Sequence, residues 1–305
     1  MNDTPASPSS HTPPGHRSGF VAIVGRPNVG KSTLLNQLLG QKVAIVTPKP
    51  QTTRSRILGI KTRADAQIIF VDTPGLHVPR SLLNRRMLET AERAVAESDL
   101  VLWLVDATAG VTADDRRIAR QLVAGRRPLC VVLNKIDRLG REQLIPILAE
   151  LDRLIPAHDV VPVSALKAGN VDVLVDQIVR LLPEGPRYYE ADTLTDQTER
   201  MLVQEVVRGQ VLLQTRSEVP YSIAVTVERF EERGHLAVVS ATIHVERESQ
   251  KGILIGARGV RIKAIGTAAR RELEEMLGRR LYLEVFVRVQ EDWTAREALL
   301  KEFGL

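Results

Sequence analysis

Gly25, Arg26, Pro27, Asn28, Val29, Gly30, Lys31 and Ser32 follow one another in the pattern G-x-x-x-x-G-K-[ST]. Two glycines let the backbone turn tightly and aim its N–H groups inward at phosphate oxygens. Lys31 supplies a cation for β- and γ-phosphates, and the hydroxyl of Ser32 is a ligand for Mg²⁺. The elements around the loop suit that task. Phe20–Val24 is a short apolar run that reads as a buried strand, and Thr33–Leu39 is helix-forming, with its N-terminus toward the anion.

Farther along, Asn134, Lys135, Ile136 and Asp137 follow the apolar strand Leu129–Leu133. A carboxylate at Asp137 can accept two hydrogen bonds from the N1–H and 2-amino groups of guanine. Adenine offers neither and leaves that carboxylate unpaired, which is a strong basis for rejection. Asn134 can brace the loop and the base edge, and the stem of Lys135 can cover the base face. Between these two anchors, Ile68–Val71 reads as a strand running into Asp72, Thr73, Pro74 and Gly75. Asp72 can hold Mg²⁺ through water, and the Gly75 N–H can sense a γ-phosphate. The polar, proline-bearing stretch 49–54 reads as a mobile loop, one of whose threonines, Thr52 or Thr53, can complete the metal shell. Both segments suit order–disorder switching. After the strand Val160–Val163, the backbone of Ser164, Ala165 and Leu166 is positioned to contact the base.

Composition frames the remainder. The chain has 305 residues, 44% of them hydrophobic, which suits two folded domains. The single cysteine, Cys130, lies inside an apolar strand, cannot form an internal disulfide and fits a reducing cytoplasm. No run approaches the roughly 18 apolar residues of a membrane span. Residues 1–17 carry Pro5, Pro8, Pro13 and Pro14 among serines and threonines without an apolar core, so they read as a disordered tail rather than a signal peptide. From 18 to 183 strand and helix alternate, which predicts a doubly wound α/β sheet, with Ser55–Lys61 and Ala66–Asp72 pairing antiparallel. Helix-stopping residues at 182–186 open a linker, 184–196.

A smaller α+β domain is expected over 197–305. Its order is helix, two alternating strands, helix, Gly256-Ala257-Arg258-Gly259, helix and strand. Paired glycines let a backbone approach a sugar-phosphate chain closely, and helix N-termini favour phosphates. The flanking Ile253, Leu254, Ile255, Ile262 and Ile265 can line an apolar groove, although some must be core. Arg247, Lys251, Arg258, Arg261, Lys263, Arg270 and Arg271 cluster against the single acid Glu248, whereas the whole chain carries a net charge of only +5. The positive field is therefore local, as a nucleic-acid patch requires. The candidate RNA contacts are Ile255, Gly256, Ala257, Arg258, Gly259, Arg261, Lys263 and Arg270.

Together these segments resemble the TRAFAC GTPases, and the stretches Gly25–Asn36, Lys49–Arg54 and Asp72–His77 resemble the Era subfamily in particular. The resemblance covers nearly the whole chain from about residue 18, and residues 1–17 stand outside it. It implies a P-loop GTPase domain followed by a type II KH domain, with GTP or GDP and Mg²⁺ as ligands. Lys31, Thr53, Asp72, Gly75 and Asn28 are then the catalytic set. The loop from Gly25 to Thr33, together with Asp72–Leu76, Asn134, Lys135, Asp137 and Ser164–Leu166, would hold the nucleotide. Ser32 and Thr53 become the protein ligands of the metal. Leu76 stands where Ras-like enzymes carry a water-orienting glutamine. Related GTPases with an apolar residue there use a phosphate-loop asparagine to hold a potassium ion, and Asn28 matches it. The implied role is slow GTP hydrolysis coupled to binding the 3′ region of small-subunit rRNA, during assembly of the small ribosomal subunit by a monomer. The alternatives are a membrane-surface GTPase whose basic domain binds acidic lipid headgroups, and an RNA-binding protein with an inert nucleotide site; the resemblance lets the first overlap with the main reading, as peripheral contact with the cytoplasmic face of the cell membrane.

Overall fold

The computed structural model describes residues 13–79, 81–156, 158–215 and 222–305. The chain divides into two compact units. One takes the chain up to Ala44 together with Thr53–Val78 and Leu88–Asp196. The other takes Ile45–Thr52, Pro79–Met87 and Gln197–Leu305.

In the first unit, six strands form one sheet: β1 (Arg17–Gly25), β2 (Ile57–Thr62), β3 (Ala66–Asp72), β4 (Leu100–Asp106), β5 (Leu129–Asn134) and β6 (Asp159–Val163). Their order is β2-β3-β1-β4-β5-β6. Only β2 runs antiparallel, in the hairpin expected from sequence, pairing Ile57 with Asp72 and Thr62 with Gln67. The parallel strands are mostly apolar because both faces are covered. Helices α1 (Lys31–Leu39) and α5 (Val171–Leu181) pack Leu34, Leu35, Leu174 and Ile178 on one face. On the other, α3 (Ala113–Ala124) and α4 (Arg141–Leu154) supply Ile118, Leu122 and Leu151. Trp103 on β4 is fully buried in that second core. Cys130 is buried as well, and burial pushes its thiol up to about 12. Helix α2 (Leu82–Glu97) follows β3, and its part from Leu88 onward belongs to this unit. Parallel strands bring their carboxyl ends to one edge of the sheet, and chain direction reverses its lateral progress beside β1, which opens a crevice there.

Residues 184–196 are not a free linker. Gln67, wholly buried on β3, accepts hydrogen bonds from Tyr188 N (2.7 Å) and Tyr189 N (3.0 Å) and donates to Tyr189 O (2.8 Å). Farther along, Leu194 O accepts from Ile60 N, and Thr195 Oγ1 donates to Leu58 O. This strap therefore occupies the outer edge of β2, which would otherwise expose unpaired backbone groups. The same strap also holds His16, inside the proline-rich 1–17 stretch. His16 is 3% exposed, donates from Nδ1 to Gly185 O (2.9 Å) and accepts Gly185 N on its own carbonyl. Local composition cannot reveal such distant partners. Residues 1–12 lie outside the described residues.

The second unit carries α6 (Glu199–Gln214), β7 (Ile223–Arg233), β8 (Leu236–Val245), α7 (Glu248–Ile255), α8 (Val260–Leu277), β9 (Arg280–Val289) and α9 (Glu297–Glu302). Its sheet has the order β7-β8-β9, with β7 antiparallel and β9 parallel to β8. Alternation along β8 turns Ala237, Val239, Ala241, Ile243 and Val245 into a core shared with Val203 and Val207 of α6 and Leu254, Ile265 and Leu273 of α7 and α8. No helix among the described residues is long and apolar enough to cross a membrane.

Replacing Gln67 by Ala strands the Tyr188 and Tyr189 amides. The expected cost is about 2 kcal/mol. Faster hydrogen exchange at those two amides is the specific readout, and exchange at the wild-type rate would show that the strap is held by other contacts.

Candidate nucleotide site and nucleic-acid loop

The sequence-predicted residues meet at the carboxyl edge of the six-stranded sheet. The phosphate loop leaves β1 at Gly25, and α1 begins at Lys31. Gly30 caps that helix with φ 102° and no side chain, so the first-turn N–H groups are left to face an anion. A Cβ on Gly30 would lie 2.4 Å from Asn134 Nδ2, so the glycine is required by space as well as by φ. Asn134 is 1% exposed and braces two loops at once. Its Nδ2 donates to Val29 O (2.8 Å), and its Oδ1 accepts from Ala165 N (3.0 Å). Of the three candidate base contacts after β6, Ala165 thus spends its N–H on Asn134.

Lys31 is buried, and its ammonium donates to Arg26 O (3.0 Å) and Gly25 O (3.4 Å). Burial lowers its pKa to about 8 against the opposing charge of Asp72. Burial likewise raises the Asp72 carboxyl, offset by Lys31 and by hydroxyl donors. Those donors are Ser32 Oγ (2.6 Å) and Thr53 Oγ1 (3.3 Å), which also lie 2.9 Å from each other. Asp72 Oδ1 is buried with no hydrogen-bond partner among the described residues. Three hard oxygen donors converging beside an orphaned carboxylate oxygen suit Mg²⁺, which binds few protein ligands and completes its shell with water and phosphate. The two candidate threonines are also resolved. Thr52 Oγ1 donates to Lys49 O (2.7 Å) within its own loop, whereas Thr53 turns to Asp72.

Several predicted residues serve the frame through their side chains. Thr73 Oγ1 donates to Ile23 O (2.8 Å), tying β3 to β1. Arg26 Nε donates to Asp115 Oδ2 (2.8 Å), a fully buried carboxylate that also caps α3 through Thr112. Leu76 N donates to Gly25 O (3.0 Å), and its side chain is 6% exposed among the β4 and α3 core residues. Leu76 is therefore turned away from solvent as well as being unable to hydrogen-bond. A Cβ on Gly75 would come within 2.8 Å of Pro27 N, so that segment lies directly against the phosphate loop.

At the base end, Ser164 Oγ donates to Asp137 Oδ1 (2.6 Å), and this hydrogen bond holds the carboxyl below its ordinary value. Leu166 is exposed beside it. Lys135 bridges to Asn28 O (2.7 Å) and Asp106 Oδ2 (2.6 Å). Burial opposes ionisation of Asp106, but hydrogen bonds from Lys135 and Thr108 outweigh it and keep the carboxyl below the usual range. Asp106 and Asp115 were missed by motif reasoning. A usable cue exists for Asp106, because an acid ending an otherwise apolar strand pairs in register with Asn134.

In the second unit, the turn between α7 and α8 places Gly256 at φ 70° and Gly259 at φ 77°. A Cβ on Gly256 would lie 2.9 Å from Arg261 Cβ. Ala257, Arg258, Lys263 and Arg270 are exposed, and Gly259 caps α8 without a side chain. Arg261 is also exposed, but its guanidinium donates to Ile253 O (2.6 Å) and closes the end of α7. Leu254 and Ile265 belong to the core, and Ile253 and Ile262 are half-buried against it.

Comparison with known proteins agrees with both halves. A family model described as a 50S ribosome-binding GTPase matches residues 20–135, and a KH domain model matches residues 218–294. A GTPase Era of Geotalea daltonii is 49% identical over 288 residues, covering 94% of this chain and 97% of the relative. Two solved structures align with a TM-score of 0.92 and 43% identity. One is a variant of Aquifex aeolicus Era bound to GDP and aluminium fluoride, covering 94% of this chain and 99% of its own. The other is Era with MgGDPNP and nucleotides 1506–1542 of 16S ribosomal RNA, covering 95% and 99%. The fold is thus a P-loop GTPase domain followed by a KH domain, and the chain belongs to the Era family of GTPases.

Proposed function

We propose that this protein binds and hydrolyses GTP in its first unit and binds the 3′ region of small-subunit rRNA with its second, acting in small-subunit assembly in the cytoplasm. The observation that carries the reading is the joint presence of two complete sites in one chain. The guanine carboxylate, phosphate loop and oxygen-donor cluster converge in one unit, and the double-glycine turn between helices stands in the other. The relative captured with MgGDPNP and 16S rRNA nucleotides supports the same pairing, since it aligns along 95% of the chain. The 50S description is attached to a match over 20–135 alone, outside the KH unit, so we read the small subunit as the target.

Each residue then has a task. Asp137, oriented by Ser164, accepts the guanine N1–H and 2-amino hydrogens. Lys135 lays its stem on the base while its ammonium stays pinned to Asn28 O and Asp106. The phosphates replace the carbonyls that now hold Lys31, and the first-turn N–H groups of α1 take the oxygens. Ser32 and Thr53 hold Mg²⁺ directly, and Asp72 holds it through water. When bound, the metal neutralises charge developing on the phosphate oxygens. Gly75 presents its N–H to the γ-phosphate. Leu76 lies in the core, so charge stabilisation falls to another group, and we assign Asn28 to a potassium ion beside the phosphates. Asn28 sits at φ 64°, in the left-handed region that asparagine tolerates.

For the second unit, lipid attraction needs only positive charge. The positive φ at both glycines gives this turn a defined backbone geometry, which is what recognition of a nucleic-acid strand requires and charge attraction to lipid does not.

Asp137→Asn exchanges a double acceptor for a mixed donor and acceptor. GTP affinity should fall by about a hundredfold or more, and affinity for xanthosine triphosphate should rise, as measured by nucleotide titration. Unchanged preference would remove the guanine assignment. Wild-type hydrolysis should run about tenfold faster in potassium than in sodium, and Asn28→Ala should abolish the difference. Equal rates in both salts would eliminate the potassium role. Replacing Gly256 and Gly259 together by Asp should weaken binding of a 16S 3′-end RNA by about tenfold or more, with acidic vesicles as a parallel ligand. RNA binding that survives intact would exclude the double-glycine turn from the interface.

A further inference from the structure

His77 follows Leu76 and has no part in the scheme above, yet it occupies a defined place in it. Its Nδ1 lies 2.7 Å from Gly75 O. A carbonyl only accepts, so Nδ1 carries the proton, and in the neutral ring Nε2 is an acceptor. That Nε2 is buried and has no hydrogen-bond partner among the described residues. The peptide joining Gly75 to Leu76 is therefore held at both ends. Its N–H donates to Gly25 O of the phosphate loop (3.0 Å), and its C=O accepts from His77. On its other side Gly75 has no spare room, because a Cβ would meet Pro27 N at 2.8 Å.

We infer that His77 is a positioning residue for the γ-phosphate contact: by holding the Gly75 carbonyl it sets the direction of the neighbouring Gly75 N–H. A displacement of Gly75 as a unit that carried its N–H away from the phosphate loop would strain the His77 and Gly25 hydrogen bonds together. The inference rests on the reading of Gly75 as the γ-phosphate sensor. It assigns the discrimination of triphosphate from diphosphate to an imidazole that never touches the nucleotide. His77 acts on the third phosphate alone, because the base and the two inner phosphates are gripped by other elements.

The test is titration of the full chain with GDP and with a non-hydrolysable GTP analogue, in wild type and three variants. Asparagine places an amide nitrogen where the imidazole has Nδ1, whereas glutamine places one where it has Nε2. His77→Ala and His77→Gln should lower the analogue-to-GDP affinity ratio by about fivefold, the equivalent of one hydrogen bond. His77→Asn should retain the ratio. GDP affinity should hold in all three and reports intact folding. Three results overturn the inference: a wild-type ratio in His77→Ala, a loss in His77→Asn equal to that in His77→Ala, or a parallel loss of GDP binding. Failure of wild type to bind guanine nucleotides at all would instead overturn the underlying assignment.

Discussion

One carboxamide governs the geometry of the nucleotide site. Asn134 sits at the end of β5 and reaches both the phosphate loop and the loop after β6. It is almost fully buried, so each of its bonds is expensive to lose. Its amide nitrogen occupies the volume a Cβ on Gly30 would need, so the glycine of the phosphate pattern and the asparagine of the base pattern depend on one another. Strand direction makes this possible. Parallel strands deliver Gly25, Asp72, Asp106, Asn134 and Val163 to a common edge, and a rearranged sheet order would separate them.

Two buried opposite charges, Lys31 and Asp72, give the site its affinity for a charged ligand. Burial disfavours each in its ionised form, and each is only partly compensated by the other. Lys31 borrows backbone carbonyls and Asp72 borrows hydroxyls, while one carboxylate oxygen has no donor among the described residues. Such a pair is poised for phosphate on the cationic side and for a divalent cation on the anionic side. Ligand binding completes the electrostatics of the fold, because the groups were desolvated when the sheet formed.

The legible parts of the sequence were those in which chemistry is carried by neighbours in the chain. The phosphate loop, Asp72–Gly75, Asn134–Asp137 and the double-glycine turn each combine a short residue pattern with the end of a strand or helix, and each stands at such an end in the fold. The β2–β3 hairpin and β8 were equally legible from alternation and turn residues. What escaped were side chains whose partners are remote. Asp115 meets Arg26 across 89 residues, and Gln67 meets Tyr189 across 122. Nothing local distinguishes a buried glutamine from a surface one, and so the strap over β2 read as a linker and His16 as part of a tail. Arg261 shows the converse limit, since a basic residue beside a phosphate-binding turn can be occupied by a helix carbonyl. Charge is visible in sequence, but its partner is not.

Cys130 lies on β5, four residues before Asn134, with only β4 between it and the strand β1 that leads into the phosphate loop. Its thiol is buried and held protonated far above neutral pH, so the folded chain withholds the reactive thiolate from alkylating reagents. Alkylation proceeds through molecules in which the core between the sheet and helices α1 and α5 has opened. Nucleotide binding stabilises the closed form by mass action and so depletes that population. The only cysteine of the chain is thereby a built-in chemical clock, whose labelling rate at a fixed nucleotide concentration reads out how firmly the core around the central sheet is held shut.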